Sequence, residues 1–183
     1  MKKMMMLALA LMMMLTLTGA ALAESAPMSK EDQMKNMVQG FLDENGYEYE
    51  YDDYTFSMSF ALENALEYVN VMVFVDDDML SVTVDAPIQG EEAAFEPLAV
   101  LTTLINSEIF YAQFRVDHYN DKLYVACRAC NLVEDVVPGE NELYYLISEP
   151  MRYMEEYGDG IHAVIGGGDP YEAFEACQAA VNE

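Results

Sequence analysis

Three cysteines are the residues whose type and spacing most invite a chemical reading. Cys127 and Cys130 spell C-x-x-C. That spacing supports thiol–disulfide exchange at a helix N-terminus, where the dipole lowers the thiol pKa. It also supports zinc binding when a second ligand pair lies elsewhere. Neither context is present, because the motif sits in an alternating, strand-like stretch and no second cysteine pair follows. Residues three apart on a strand are roughly 10 Å apart and point to opposite faces, whereas a disulfide needs Cα atoms within about 7 Å. Cys177 offers a different pairing. Cys127 falls on the expected core face of its strand and Cys177 on the core stripe of the last helix. In an exported protein, a Cys127–Cys177 bridge would pin that helix to the sheet. The competing expectation is three buried or free thiols.

The other candidates resolve toward structure. Asp76-Asp77-Asp78 offers oxygen ligands of the kind calcium takes, but the D-x-D-x-D-G order with a distant Glu is absent, so a solvated hairpin tip is expected. Gly166 to Gly168 lacks the Lys-Ser/Thr and preceding strand of a phosphate loop and is expected to stop a helix. His118 lies beside a hairpin loop and His162 in a late helical stretch. No Ser or Cys stands in a nucleophile-elbow context. Carboxylate pairs occur everywhere in so acidic a chain and single out no position. Catalytic, metal and cofactor residues are therefore all expected to be absent.

The bulk properties bound the setting. Lys2 and Lys3 form a basic n-region, Met4 to Leu17 is almost wholly apolar, and Ala21-Leu22-Ala23 is an A-x-A signal. This reads as a secretory signal peptide over residues 1–23, cleaved between Ala23 and Glu24. The rival reading is an uncleaved membrane anchor, since the apolar run approaches the roughly 20 residues that span a bilayer. No later segment is apolar enough to span. The mature chain keeps Lys30, Lys35, Arg115, Lys122, Arg128 and Arg152 against all 33 Asp/Glu. Such a surface repels nucleic acid and anionic membranes, and favours cationic partners and loosely held divalent ions. Its Tyr, Phe, Val and Leu content argues for a folded core of single-domain size.

The elements follow from periodicity. Ser29 starts a helix with Asp32 three residues on, resembling a capping box. Met34, Met37, Val38 and Phe41 stripe it, and Asn45-Gly46 ends it. Tyr47 to Tyr51 and Tyr54 to Phe60 alternate strictly, predicting a hairpin that pairs Tyr51 with Tyr54 and leaves Glu48, Glu50, Thr55 and Ser57 on a wet face. Tyr68 to Asp85 predicts a second hairpin. Pairing Val75 with Leu80 sets Val73 opposite Val82 and Val71 opposite Val84, and a one-residue slip would destroy the match. Asp76 to Met79 are then a four-residue loop, suiting a sequence with no Gly for a tight primed turn. The opposite face carries Tyr68, Met72 and Phe74, enough apolar surface to be covered too.

Pro87 to Glu92 is expected to break the sheet. Leu98, Leu101, Thr102 and Ile105 mark a second helix, with Pro97 tolerable in its first turn. A third hairpin puts Phe110, Ala112, Phe114 and Val116 on one face, and Leu123, Val125, Cys127 and Ala129 on the matching one. Aligning Val116 with Leu123 predicts a cross-strand Asp117–Lys122 ion pair and a loop from His118 to Asp121. Pro138-Gly139 opens a helical region striped by Leu143, Leu146, Ile147, Met151 and Met154, which Pro150 should kink or split. A further turn is expected at Ile161 to Ile165. Asp169-Pro170-Tyr171-Glu172 then reads as a helix start with Asp at N-cap and Pro at N1, and Phe174, Cys177 and Val181 stripe that last helix.

This order, with Val69 to Val75 before an acidic turn, the helix from Leu98 to Ile105, Phe114-Arg115-Val116-Asp117, Leu123-Tyr124-Val125 and the block ending near Gly168, resembles the YbjN-like domain family and its structural relatives, the type III secretion chaperones. The resemblance covers about Lys30 to Gly168. It implies an α+β fold, an antiparallel sheet with helices on one face in the order α-β-β-β(β)-α-β-β-α, often dimeric, with a non-enzymatic protein- or peptide-binding role. It supplies no catalytic residues. The signal peptide departs from the family's cytoplasmic setting. The expected domains are the signal at 1–23, the α+β domain at 24–168 and a C-terminal helix at 169–183. The expected function is an exported, non-catalytic binding domain that takes a protein or peptide, with a homodimer allowed and no nucleic-acid or membrane partner after cleavage. An acidic structural or ion-responsive protein is the alternative, and an unrecognised hydrolase the third.

Overall fold

The computed structural model describes residues 28–133 and 137–181. The expected signal peptide and its Ala23–Glu24 cleavage point lie outside the described residues. The elements are α1 (Lys30–Glu44), β1 (Glu50–Asp52), β2 (Thr55–Ala61), β3 (Tyr68–Asp76), β4 (Met79–Gly90), a 3-10 turn (Glu92–Ala94), α2 (Phe95–Glu108), β5 (Gln113–Tyr119), β6 (Lys122–Leu132), α3 (Glu140–Ile165) and α4 (Pro170–Val181). The strands form one antiparallel sheet in the order β1-β2-β3-β4-β6-β5. The β4-to-β5 connection through α2 lets β6 fold back between them. The protein is an α+β fold.

One face of the sheet makes the core. Val69, Val71, Val73 and Val75 of β3, Leu80, Val82 and Val84 of β4, and Leu123, Val125 and Cys127 of β6 are all buried. Against them lie Met34, Val38 and Leu42 of α1, Leu98, Leu101 and Ile105 of α2, and Leu143, Ile147, Met154 and Ile161 of α3. Apolar side chains at i, i+3 and i+4 stripe each helix and face the valine ridges. The α4 helix packs on α2 and α3.

The expected caps form. Ser29 Oγ accepts from Asp32 N at 3.0 Å, and Gly46 takes the left-handed φ of 70° after α1. Asp169 Oδ1 accepts from Tyr171 N and Glu172 N at 2.9 and 3.1 Å, capping α4.

The β3–β4 register is as expected, with Val75 opposite Leu80, Val73 opposite Val82 and Val71 opposite Val84. The ladder runs one pair further, to Asp76 and Met79, so the loop is two residues and not four. Asp76 Oδ1 accepts from Asp77 N at 2.8 Å and tightens it. The β5–β6 hairpin differs more. Val116 faces Val125, and Tyr119 faces Lys122 across a turn at Asn120-Asp121. Both turn residues are left-handed, at φ 50° and 60°, the geometry of a tight primed turn that Asn and Asp tolerate. The Asp117–Lys122 pair therefore does not form: Asp117 bonds Arg115 at 2.7 Å, and Lys122 bonds Glu91. The β1–β2 pairing is also shifted, with Tyr51 opposite Phe56 rather than Tyr54. Tyr54 instead lies in the turn, its carbonyl accepting from Val75 N at 3.1 Å.

Three further corrections concern proline and strand ends. Pro87 does not end the sheet, because β4 runs to Gly90 with a register shift between Asp85 and Gln89 that accommodates it. Pro150 does not split the third helical region, since α3 is continuous from Glu140 through the Ile161–Ile165 turn. Phe110 and Ala112 precede β5, and Phe110 is 90% exposed.

Candidate functional site

The helices cover one side of the sheet, and the other side holds a concave surface. Its floor follows from the register. Thr55, Phe74, Ser81 and Cys130 form one cross-strand row. Ser57, Met72, Thr83, Arg128 and Gln113 form the next, and Ser59, Asn70, Asp85, Ala126 and Arg115 the one beyond. Across the β4 bulge, Tyr124 stands beside Asp117. Tyr54, Met79 and Tyr119 complete the rim of a shallow concavity of about 690 Å³. Met72, Phe74 and Tyr124 are half-buried and Tyr54 and Tyr119 exposed. A mixed floor, with Met72 and Phe74 among polar side chains, and an amphipathic aromatic rim is the composition of a recognition surface.

The polar groups on this face are unevenly satisfied. Arg115 Nε bonds Asp117 Oδ2 at 2.7 Å. Asp85 is half-buried, and its carboxyl is pushed up from its ordinary value, first by burial and then by the charge of Asp117, with Arg115 opposing. Ser81 is fully buried, and its Oγ has no hydrogen-bond partner among the described residues. The Nε of Arg128 is likewise buried and unpartnered. Such orphans are few in folded proteins, and these two occupy adjacent strands on one face.

No family model matches the chain, and no curated protein matches it. Among solved structures, the chain is similar to the crystal structure of YbjN from E. coli, a proposed transcription regulator. The TM-score is 0.53 at 14% sequence identity, over 72% of this chain and 87% of that one. The fold is YbjN-like. At that identity the likeness establishes architecture alone.

Within the YbjN-like fold, the residues singled out by sequence scatter. Cys127 is on the core face of β6 and Cys177 on the buried side of α4, both as free thiols, while Cys130 is exposed on the open face. Cys127 and Cys130 therefore lie on opposite sides of the sheet. Asp78, at the β3–β4 tip, bonds Lys30 Nζ at 2.7 Å, and the same nitrogen donates to Val133 O at 2.8 Å. Among the described residues, no three His, Cys, Asp or Glu side chains converge as a metal site. His118 Nε2 lies 2.8 Å from Glu92 Oε2, with its ring against Phe95, and His162 is exposed in the last turn of α3. Gly166 caps α3, as expected of the glycine run. No described helix is long and apolar enough to cross a membrane.

The open face itself was not among the sequence candidates. Alternation did contain a signal: with Cys127 inward, Arg128 must point outward, together with Ala126 and Tyr124 two and four residues back. Its neighbours on β4 become known only once β6 is seen to insert beside that strand.

Proposed function

We propose that this chain is an exported, non-catalytic domain that binds a peptide or protein segment on the open face of its sheet. One observation carries the reading: among the described residues, a six-stranded sheet is covered by helices on one side only, and its other side presents Met72, Phe74, Met79 and Tyr124 half-buried in a concavity. Methionine and tyrosine suit adaptable, partly wet recognition. The YbjN-like architecture is consistent with this role. Regulation by direct DNA contact is disfavoured, because a chain of formal charge −25 repels phosphate. Export is supported by Lys2, Lys3 and the Ala21-Leu22-Ala23 signal. N-terminal sequencing of the secreted protein should begin at Glu24.

The test of binding is a displayed peptide library panned on the mature chain. Selected peptides should lose roughly tenfold or more in affinity when Phe74→Glu or Tyr124→Glu is introduced, since a buried interface anchor contributes about 2 kcal/mol or more. Selection of no peptide, or affinity unchanged in both variants, would overturn the reading. The acidic surface favours a second reading, an ion-responsive or structural protein. Partners that all vanish in moderate salt and ignore both substitutions would support it.

A further inference from the structure

We infer that Arg128 is an anchor for a carboxylate, held in readiness on the open face beside Ser81. The argument begins with how this acidic chain spends its few cations. Lys30 bonds Asp78, Lys35 bonds Glu31, Arg115 bonds Asp117, Lys122 bonds Glu91, and Arg152 bonds both Glu149 and Glu156. Arg128 alone among the described Lys and Arg side chains has neither an ion pair nor a hydrogen bond. With 33 Asp and Glu in the chain, an unpaired guanidinium is the exception to a consistent pattern.

Its position makes the isolation costly. Arg128 is half-buried between Thr83 on β4 and Gln113 on β5. Of its three nitrogens only Nε is both closed to solvent and unpartnered, which leaves the outer N–H groups accessible from the concavity. Ser81 stands two residues from Thr83 on β4, diagonal to Arg128, and its buried hydroxyl is also unpartnered. A buried polar group left without a partner is costly to the fold. Both groups line the same concavity.

The surroundings select the ligand. A guanidinium fork matches the two oxygens of a carboxylate. Asp76, Asp85 and Asp117 border the same concavity, so a dianionic phosphate would be repelled more strongly than a monoanion. Met72 and Phe74 lie in the rows of Arg128 and Ser81 and supply an apolar bed. The favoured ligand is thus a monocarboxylate joined to an apolar or aromatic body. This anchor deepens the binding reading above and rests on the same face. Either a small organic acid or the C-terminus of a peptide presents that chemistry.

The probes are N-acetylphenylalanine and its amide, titrated by calorimetry into the mature protein, together with a short peptide ending in Phe as free acid and as amide. The free acids should bind, and each amide should bind roughly tenfold or more weakly, the value of one charge-assisted contact. Arg128→Gln should abolish the difference between acid and amide, Arg128→Lys should restore part of it, and Arg152→Gln, on α3 away from this face, should leave it intact. A peptide acid that outbinds N-acetylphenylalanine identifies a chain terminus as the source, and the reverse order a small acid. Absence of saturable binding by either acid overturns the anchor, as does equal binding of acid and amide, or an Arg128→Gln variant of unchanged circular dichroism that binds the acid as the parent does. Library peptides retained by Arg128→Gln and lost on Phe74→Glu would remove the anchor while leaving the binding face standing.

Discussion

Asn64 occupies the space that a side chain at Gly158 would need: a β-carbon built on Gly158 would lie 2.2 Å from Asn64 Nδ2. The contact clamps the β2–β3 connection onto α3. Asn64 Nδ2 donates to Met154 O and Glu155 O at 2.8 and 2.9 Å, and its Oδ1 accepts from Leu66 N at 2.9 Å. Beside it, Ala65 N donates to Asp159 Oδ1 at 2.7 Å and Glu63 N to Glu155 Oε1 at 3.1 Å.

Gly158→Ala should therefore destabilise the protein by about 1–3 kcal/mol, because it expels an amide that satisfies buried backbone groups. Glycine-to-alanine within a helix otherwise stabilises by roughly 0.5–1 kcal/mol. In an Asn64→Ala background the same substitution should turn neutral or stabilising. A denaturation double-mutant cycle reads the sign change; additive effects would refute the clamp.

Thiol reactivity should divide three ways. Cys130 is exposed and should react with a thiol reagent in the native protein. Cys127 should resist until unfolding, since burial alone pushes its thiol far up. Cys177 should react slowly, being buried and raised first by desolvation, with Asp159 adding and a backbone hydrogen bond from Gly160 opposing. Because the thiolate is the reactive form, raised values slow the reaction. Counting thiols after denaturation without reductant should give three. A count of one, with Cys130 the thiol that still reacts, would point to the Cys127–Cys177 bridge.

Asp85→Asn should raise stability at neutral pH. The folded carboxyl is pushed up, chiefly by desolvation, so the native state holds its proton more tightly than the unfolded chain does. The penalty for ionising Asp85 is complete above its raised folded value and fades as pH falls through it. Below about 3.9, the ordinary Asp value, both states are protonated and the variant's advantage should vanish. Melting curves at neutral and acid pH read the gap. A gap that widens on acidification would contradict the sign.

Asp121→Gly should stabilise the β5–β6 turn by about 0.5 kcal/mol, since glycine takes positive φ without strain and Asn-Gly is the favoured primed pair. Asp121→Val should destabilise by about 1 kcal/mol or more, because a branched side chain opposes the left-handed geometry. Urea midpoints would show both effects. Equal midpoints for Gly and Val would show that the turn does not depend on this conformation.

The two hairpin registers that the pattern misplaced are shifted in the same way. Val116 pairs with Val125 rather than Leu123, and Tyr51 with Phe56 rather than Tyr54. Both shifts keep every side chain on its expected face, so alternation is blind to them. A one-residue slip, by contrast, would have exposed the valines of β3, which is why the Val75–Leu80 register could be read. What separates the alternatives in β5–β6 is the willingness of Asn120 and Asp121 to turn left-handed. In β1–β2 it is a carbonyl of Tyr54 wanted by Val75 on the next strand, a partner invisible from the hairpin alone.

Local chemistry in the sequence determined the helices, their caps at Ser29 and Asp169, the buried valine ridges and the inward or outward sense of each strand residue, because these depend on neighbours a few positions away. Only the tertiary structure decided that β6 lies between β4 and β5, that the described helices pack on one face of the sheet, and that Arg128 and Ser81 stand together on the other without partners among the described residues. Those facts arise from contacts between residues some fifty positions apart, for which the alternation of apolar and polar residues sets a face but no address.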